Sequence, residues 1–255
     1  VIVCFQPFLN ELDLLEVKMA TMGDAVDLWV VVEAELTFTG INKPLLFKEN
    51  QGRFSKFPIH YVQLGDPLVE VGPWERESWQ RNAATEALRE VDARYDERPK
   101  IVLWTDSDEV IKPEAIDMFK AAKVPFANME LDMLEYYFNW AHPKKWPYPR
   151  ISWFNGQEVS RGDFTKPVLP NCGWHFEYCG GKERLLEKVN STSHASGHGT
   201  RSFWQRVRKG VLPSCEILKS YPEENLPRFI RDNRERFASY FSPVPPPQSQ
   251  ITGGK

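Results

Sequence analysis

Apolar positions in the first half of the chain fall into two alternating patterns. Segments 1–8 (VIVCFQPF), 27–34 (DLWVVVEA), 59–64 (IHYVQL) and 100–105 (KIVLWT) are apolar almost throughout. Runs of this kind suit strands covered on both faces, as in a parallel sheet. Between them the apolar residues recur at helical spacing. Leu12, Leu15 and Met19 mark a helix over 10–22, with Asp13 and Glu16 near its positive end and Gly23 closing it. Trp79, Ala83, Ala87, Leu88 and Val91 mark a second helix over 74–94, and Pro113 opens a third. The order strand, helix, strand predicts an α/β fold: an open, mostly parallel sheet with helices on both faces.

From about Tyr136 the periodicity weakens. Residues 136–180 are rich in Trp, Tyr, Pro and Gly, which predicts short strands and long loops. Helical spacing returns at 183–189 and 225–240. These patterns divide one domain, 1–241, into a half of regular strands and helices (1–135) and a loop-rich half (136–241). A Pro-rich tail, 242–255, is expected to be disordered. No internal repeat is visible.

Composition narrows the function classes. With 255 residues and 42% hydrophobic residues, the chain can bury one large core. Its net charge of -3 argues against nucleic-acid binding. Nine Trp and 16 Phe fit either an aromatic-rich core or a cleft whose ring faces stack on sugars. Cys4, Cys172, Cys179 and Cys215 lack zinc-type spacing, although Cys172 and Cys179 are close enough in sequence to pair. One glycosylation sequon, Asn190-Ser191-Thr192, is usable only in a secretory lumen. No run approaches the roughly 20 apolar residues that span a bilayer.

The chemistry concentrates at Asp106-Ser107-Asp108-Glu109, directly after the fourth strand. Ligands of open α/β sheets sit beyond the carboxyl ends of the strands. Residues i and i+2 of an extended segment point the same way, so Asp106 and Asp108 present two carboxylates together. These are hard ligands for Mn²⁺ or Mg²⁺. An ion held there can bridge a diphosphate and offset the charge that builds on a departing nucleotide. The triplet alone is a weak signal, and its place at the end of a buried strand strengthens it. Glu109 can hydrogen-bond the metal ligands or favour the start of the following segment.

Five segments then carry a resemblance in order: FLNELDLLEVKMATMGDAVDLWVVVEAELTFTG (8–40), WERESWQRNAATEAL (74–88), VLWTDSDEVIKPEAI (102–116), CGWHFEYCGG (172–181) and YPEENLPRFIRDNRERF (221–237). Together they resemble the family-17 glycosyltransferases, from the first residues to about position 241. The resemblance implies a GT-A-like fold, UDP-GlcNAc as donor, Mn²⁺ as cofactor and an inverting transfer that makes a β-linkage. It implies a β-1,4 bond to the core mannose of N-glycans on a glycoprotein acceptor. It also implies the lumenal side of the Golgi membrane, with attachment only through an anchor outside this chain. Asp106 and Asp108 match the family's metal-binding DxD. Glu33 matches an acidic position near the nucleoside. Arg81 and Asn82 lie on a helix expected to flank the donor, Arg81 for phosphate and Asn82 for base or ribose. Trp174 and His175 match a GWH motif on the acceptor side. The loops between 140 and 170 depart from the animal enzymes.

Several residues carry two readings each. His175 is a third metal ligand, a phosphate contact or a packed histidine. His194 and His198 flank a Ser/Gly-rich stretch that either closes over the donor, His194 completing the metal shell, or is a solvated loop. An inverting transfer needs a base for the acceptor hydroxyl. Asp163 and Glu177 are the leading candidates, with Asp132 and Glu135 beside them. Tyr136, Tyr137, Trp140, Trp146 and Trp153 form a sugar groove or a core seam. The basic run 201–209 faces phosphates, lipid headgroups or solvent. Two rival functions stand against the leading one: the same fold with another donor or acceptor, and a non-catalytic carbohydrate-binding module. Calorimetry with UDP, with and without Mn²⁺, separates the module from the enzymes, and a donor screen separates the enzymes.

Overall fold

The structure, a computed structural model, describes residues 1–65, 71–94, 100–154, 167–191 and 218–246. Its centre is the parallel sheet that the apolar runs predict. Strand β1 (Ile2–Phe8) pairs with β2 (Leu28–Ala34) on one side and β4 (Ile101–Trp104) on the other, and β3 (Ile59–Leu64) lies outside β2. All four run parallel.

Alternation of side chains explains why both faces are apolar. On one face, Cys4, Phe8, Trp29, Val31, Ile101 and Leu103 share a core with Leu15 and Met19 of helix α1 (Leu12–Met22), Phe47 of helix α2 (Leu46–Glu49) and Phe119 of helix α4 (Glu114–Ala122). On the other, Val3, Phe5, Val30, Val32, Val102 and Trp104 pack on Ala84, Ala87, Leu88 and Val91 of helix α3 (Pro73–Arg94). Each fully buried Leu, Met or Phe contributes about 1.5–3 kcal/mol, so two such layers fix the sheet. Gly23 ends α1 with φ 48, its N–H reaching the Met19 carbonyl.

Beyond β4 the sheet becomes mixed. Strand β8 (Arg150–Trp153) runs antiparallel to β4, and β6 (Phe126–Glu135) antiparallel to β8. The other edge of β6 carries β9 (Val168–Glu177) in parallel, and β9 carries β5 (Glu109–Ile111) antiparallel. The short β7 (Trp140–Ala141) and β10 (Lys219–Ser220) extend the sheet past the end of β6.

Several expectations need correction. The region read as loop-rich contains β9, ten residues long, and β6, also ten residues, lies just before it. Asn128, Glu130 and Asp132 punctuate β6, while Pro170, Asn171 and Gly173 break up β9, so neither reads as an apolar run. The helix expected over 225–240 is a single short helix, α6 (Arg228–Asp232), flanked by 3-10 turns at Glu223–Asn225 and Ala238–Tyr240. Helix α5 (Lys182–Ser191) matches its expectation. Cys172 and Cys179 do not pair: both are buried free thiols in different core clusters, donating toward Leu169 O and Leu134 O. The start of the expected tail is packed, because Asn139 exchanges hydrogen bonds with Ser242 and the Trp140 indole donates to Val244 O. Residues 247–255 lie outside the described residues. Among the described residues, no helix is long and apolar enough to cross a membrane.

Candidate active site

Strand directions bring the acidic groups together. Strands β4, β6 and β9 are mutually parallel through their shared neighbours, so their carboxyl ends lie on one edge of the sheet. The Asp106–Asp108 turn leaves β4 and crosses to β5, which pairs Glu109 with His175 on β9. Asp108 O accepts the Phe176 N–H at 2.9 Å, fixing the turn beside the end of β9. His175 and Glu177, two apart on β9, then face the same way as the Asp108 carboxylate.

Ligand atoms of Asp108, His175 and Glu177 lie within 4.8 Å of one another. His175 Nε2 is 3.0 Å from Glu177 Oε2 and 3.7 Å from Asp108 Oδ1. The Lys188 ammonium, reaching in from α5, contacts Asp108 Oδ2 and lies 3.4 Å from Glu177 Oε1. Burial alone would neutralise these groups, but their partners prevail. Lys188 and His175 hold the Asp108 carboxyl well below the usual carboxylate range despite its burial. Burial lowers the His175 pKa, yet Asp108 and Glu177 push it up to about 10. The same pair of carboxylates raises Lys188 against its own burial. His175 is held by ring stacking on Trp146, centroids 4.4 Å apart, and its Nδ1 is buried with no hydrogen-bond partner. Two carboxylate oxygens and an imidazole nitrogen suit Mn²⁺ or Mg²⁺, so the donor set fits a divalent ion.

The turn itself is supported from beneath. Glu109 is fully buried, and its carboxylate accepts from Asp106 N at 2.7 Å and from the Trp146 indole at 2.7 Å. Glu109 therefore shapes the turn, a third role beside the two expected of it, and opens β5. Lys18 of α1, also fully buried, donates to Thr105 Oγ1 at 2.6 Å and Asp106 O at 2.9 Å. Ser107 Oγ donates to Pro7 O at 2.7 Å, tying the turn to the end of β1. Arg81 clasps Asp106 with two hydrogen bonds of 2.8 and 3.2 Å. Asp106 thus faces α3, apart from the Asp108, His175 and Glu177 group.

Asp106, Asp108, His175, Glu177, Lys188 and Arg81 line a cavity of about 540 Å³ whose wall also includes Phe38, Glu135 and Tyr178. Glu135 is 4% exposed, and burial together with nearby Glu177 pushes its carboxyl up to about 8. Other expected residues lie elsewhere. Glu33 does not line the cavity: it accepts from Phe47 N, Lys48 N and the Tyr61 hydroxyl at 2.9–3.2 Å, holding α2 and β3 to β2. Asn82 is exposed and off the wall. Trp174 points to the opposite face of β9, donating to Asn225 O and Tyr221 Oη. Tyr137 and Trp140 pack on each other in a cluster with Leu185 and Val189, so they belong to a core seam; Trp146 and Tyr148 are the aromatic residues of that region on the cavity wall. Asp132 points away, bonded to Tyr221 and Lys145. Asp163, His194, His198 and 201–209 lie outside the described residues.

Sequence reasoning missed Lys188 and Lys18. Lys18 carried a signal, since it falls on the helical line Leu14, Lys18, Met22, an otherwise apolar stripe. Lys188 flanks buried Leu185 and Val189, which makes it indistinguishable in sequence from a surface lysine.

Over residues 4–226 the chain matches the family model described as Glycosyltransferase family 17. A search of curated proteins finds no match.

Proposed function

The chain belongs to glycosyltransferase family 17, and on that footing we propose that it is a metal-dependent inverting transferase moving GlcNAc from UDP-GlcNAc to a glycan hydroxyl. Glycosyl transfer follows from the family, and with it a nucleotide-sugar donor and an acceptor. The finer reading takes the acceptor as the core mannose of N-glycans, the bond as β-1,4 (the bisecting position) and the compartment as the Golgi lumen. It rests on the sequence resemblance given above. The observation that carries metal dependence is the Asp108, His175 and Glu177 group on the cavity wall at the carboxyl edge of the sheet.

These three residues would hold Mn²⁺ or Mg²⁺, which when bound offsets the charge of a departing diphosphate. Arg81, held by Asp106 at the cavity wall, is placed to orient a phosphate alongside. Trp146 lines the cavity and keeps His175 aligned. Glu177 is committed to His175 and Lys188 and Asp163 lies outside the described residues, so among the described candidates the cavity wall offers Glu135 as the acceptor base. A pKa near the working pH is what a general base needs, and Glu135 sits there.

The test is UDP release from UDP-GlcNAc with a mannose-terminated N-glycan and Mn²⁺. Asp108→Ala and Glu177→Gln should each lose at least about a hundredfold in turnover. Asp106→Ala should also slow turnover, through release of Arg81 and the turn. Wild-type rates in the Asp108 and Glu177 variants would sink the metal-site assignment. Release only from a different nucleotide sugar would keep the site and change the donor.

A further inference from the structure

The two carboxylates of the metal group are bridged twice. His175 Nε2 joins Asp108 Oδ1 to Glu177 Oε2. Lys188 Nζ joins Asp108 Oδ2 to Glu177 Oε1. Each carboxylate of the pair therefore meets the His175 ring, itself a donor to the ion, with one oxygen and the Lys188 ammonium with the other. A divalent ion bound by Asp108 and Glu177 cannot share those oxygens with an ammonium without strong repulsion. We infer that Lys188 is a tethered placeholder cation, which a divalent ion must displace in order to load the site. This rests on the metal-dependent reading above.

The anatomy of α5 allows the displacement. The helix is anchored by other residues: Leu185 and Val189 are 1% exposed and pack with Tyr136 and Trp140. Its last turn is fixed by Phe38 N–H to Ser191 O and Thr39 Oγ1 to Asn190 O, at 3.1 and 3.0 Å. The ammonium can therefore swing on its four-carbon stem while the helix stays in place. An alternative seat is near, since Nζ already lies 5.3 Å from the Tyr178 ring centroid. Lys188 and Tyr178 both line the cavity, so a released ammonium stays where an anionic ligand would lie. Without the ion, the lysine prevents two buried carboxylates from repelling each other.

Metal-stripped protein would be titrated with Mn²⁺ in the absence of nucleotide, free Mn²⁺ being read by electron paramagnetic resonance. Lys188→Gln should bind Mn²⁺ at least about tenfold more tightly than wild type. Lys188→Arg, which keeps the charge, should stay near wild type, and Glu177→Gln should bind weakly. In parallel, wild-type lysines would be acylated with acetic anhydride and mapped by peptide mass. Lys188 should react slowly in stripped protein and several-fold faster with saturating Mg²⁺. Equal or weaker binding by Lys188→Gln, with wild-type binding still sensitive to Glu177→Gln, overturns the placeholder alone. Lys188 reactivity indifferent to Mg²⁺ overturns it too, and needs no variant to fold. If wild type and Glu177→Gln bind Mn²⁺ alike, the metal reading fails and the placeholder with it.

Discussion

Glu135 and Glu177 are carboxylates at the ends of neighbouring strands, yet their surroundings drive them apart. Burial opposes ionisation of Glu177, but Lys188 and His175 outweigh it and keep its pKa lowered. Glu135 has burial and the Glu177 charge against it, and rises from 4.5 to about 8. Divergent carboxyls in one cleft commonly mark divided roles. If Glu135 takes the acceptor proton, turnover should rise with pH toward about 8, because the base must be ionised. Glu135→Gln should lower kcat by about a hundredfold while Mn²⁺ affinity stays close to wild type. A loss of Mn²⁺ binding instead would place Glu135 among the metal-holding groups. The stability sign follows from the same shift. A carboxyl whose folded pKa is raised binds its proton more tightly in the folded state, so stability falls as pH rises from 4.5 to about 8. Glu135→Gln should therefore match wild type near pH 4 and gain on it by a few kcal/mol at about pH 8, read from urea midpoints. Equal pH slopes in the two proteins would argue against the raised pKa.

The pairing of β5 with β9 is the element on which the site turns. Gly173 stands opposite Ile111 with φ 152, and a Cβ there would lie 2.0 Å from Val110 O. The close approach sets the register that places Glu109 opposite His175. Gly173→Ala must push β5 away, at a cost of about 3 kcal/mol or more. The expected result is a lower urea midpoint together with weaker Mn²⁺ binding. Wild-type Mn²⁺ affinity in the folded variant would show that the ligand group does not depend on this pair. Legibility in the sequence divides along the same line. The four parallel strands were readable because both their faces are buried, which leaves continuous apolar runs. The Asp106–Asp108 turn was readable for the same reason, as the polar stop on such a run. Strands β6 and β9 were not, since polar residues and a bulge near Met129 and Leu131 interrupt their alternation. Their ends nonetheless deliver Glu135, His175 and Glu177. The ligand group was half visible: Asp108 and His175 stood out by motif and Glu177 only as a candidate base, but Lys188 meets Asp108 across 80 residues of sequence. No local pattern records such a meeting. Tyr137 and Trp140 carried two readings, groove or core seam, and no spacing could disclose that they pack in the Leu185 seam.

On the scale of the whole molecule, the last segment is strapped across α1, the helix that carries Lys18 under the Asp106–Asp108 turn. Ile230, Phe237 and Tyr240 pack on Leu14 and Val17. Around that apolar contact runs a charged latch: Arg236 bonds Asp13 and Glu16, the Tyr240 hydroxyl donates to Asp13 at 2.8 Å, and Arg53 reaches the same two acids. Burial alone would raise Asp13 and Glu16, but Arg53, Arg236 and Tyr240 hold Asp13 below 3.8, and Arg236 and Arg53 hold Glu16 below 4.5. Groups with depressed folded pKa values contribute stability above their unfolded values and lose it as pH falls through the folded ones. The latch should therefore be intact at pH 7 and release as pH falls below about 4. Asp13→Asn with Glu16→Gln should lower the urea midpoint at pH 7 and flatten its decline toward acid. The part of that decline that survives in the double variant belongs to other carboxylates, Asp108 and Glu177 among them. An unchanged acid slope would mean that the apolar contact alone secures the strap. Because α1 lies between strap and turn, loosening the strap should also raise amide exchange at Lys18 and its neighbours before the parallel strands open. Proton exchange that begins in β1 or β2 instead would show that the site does not depend on the strap.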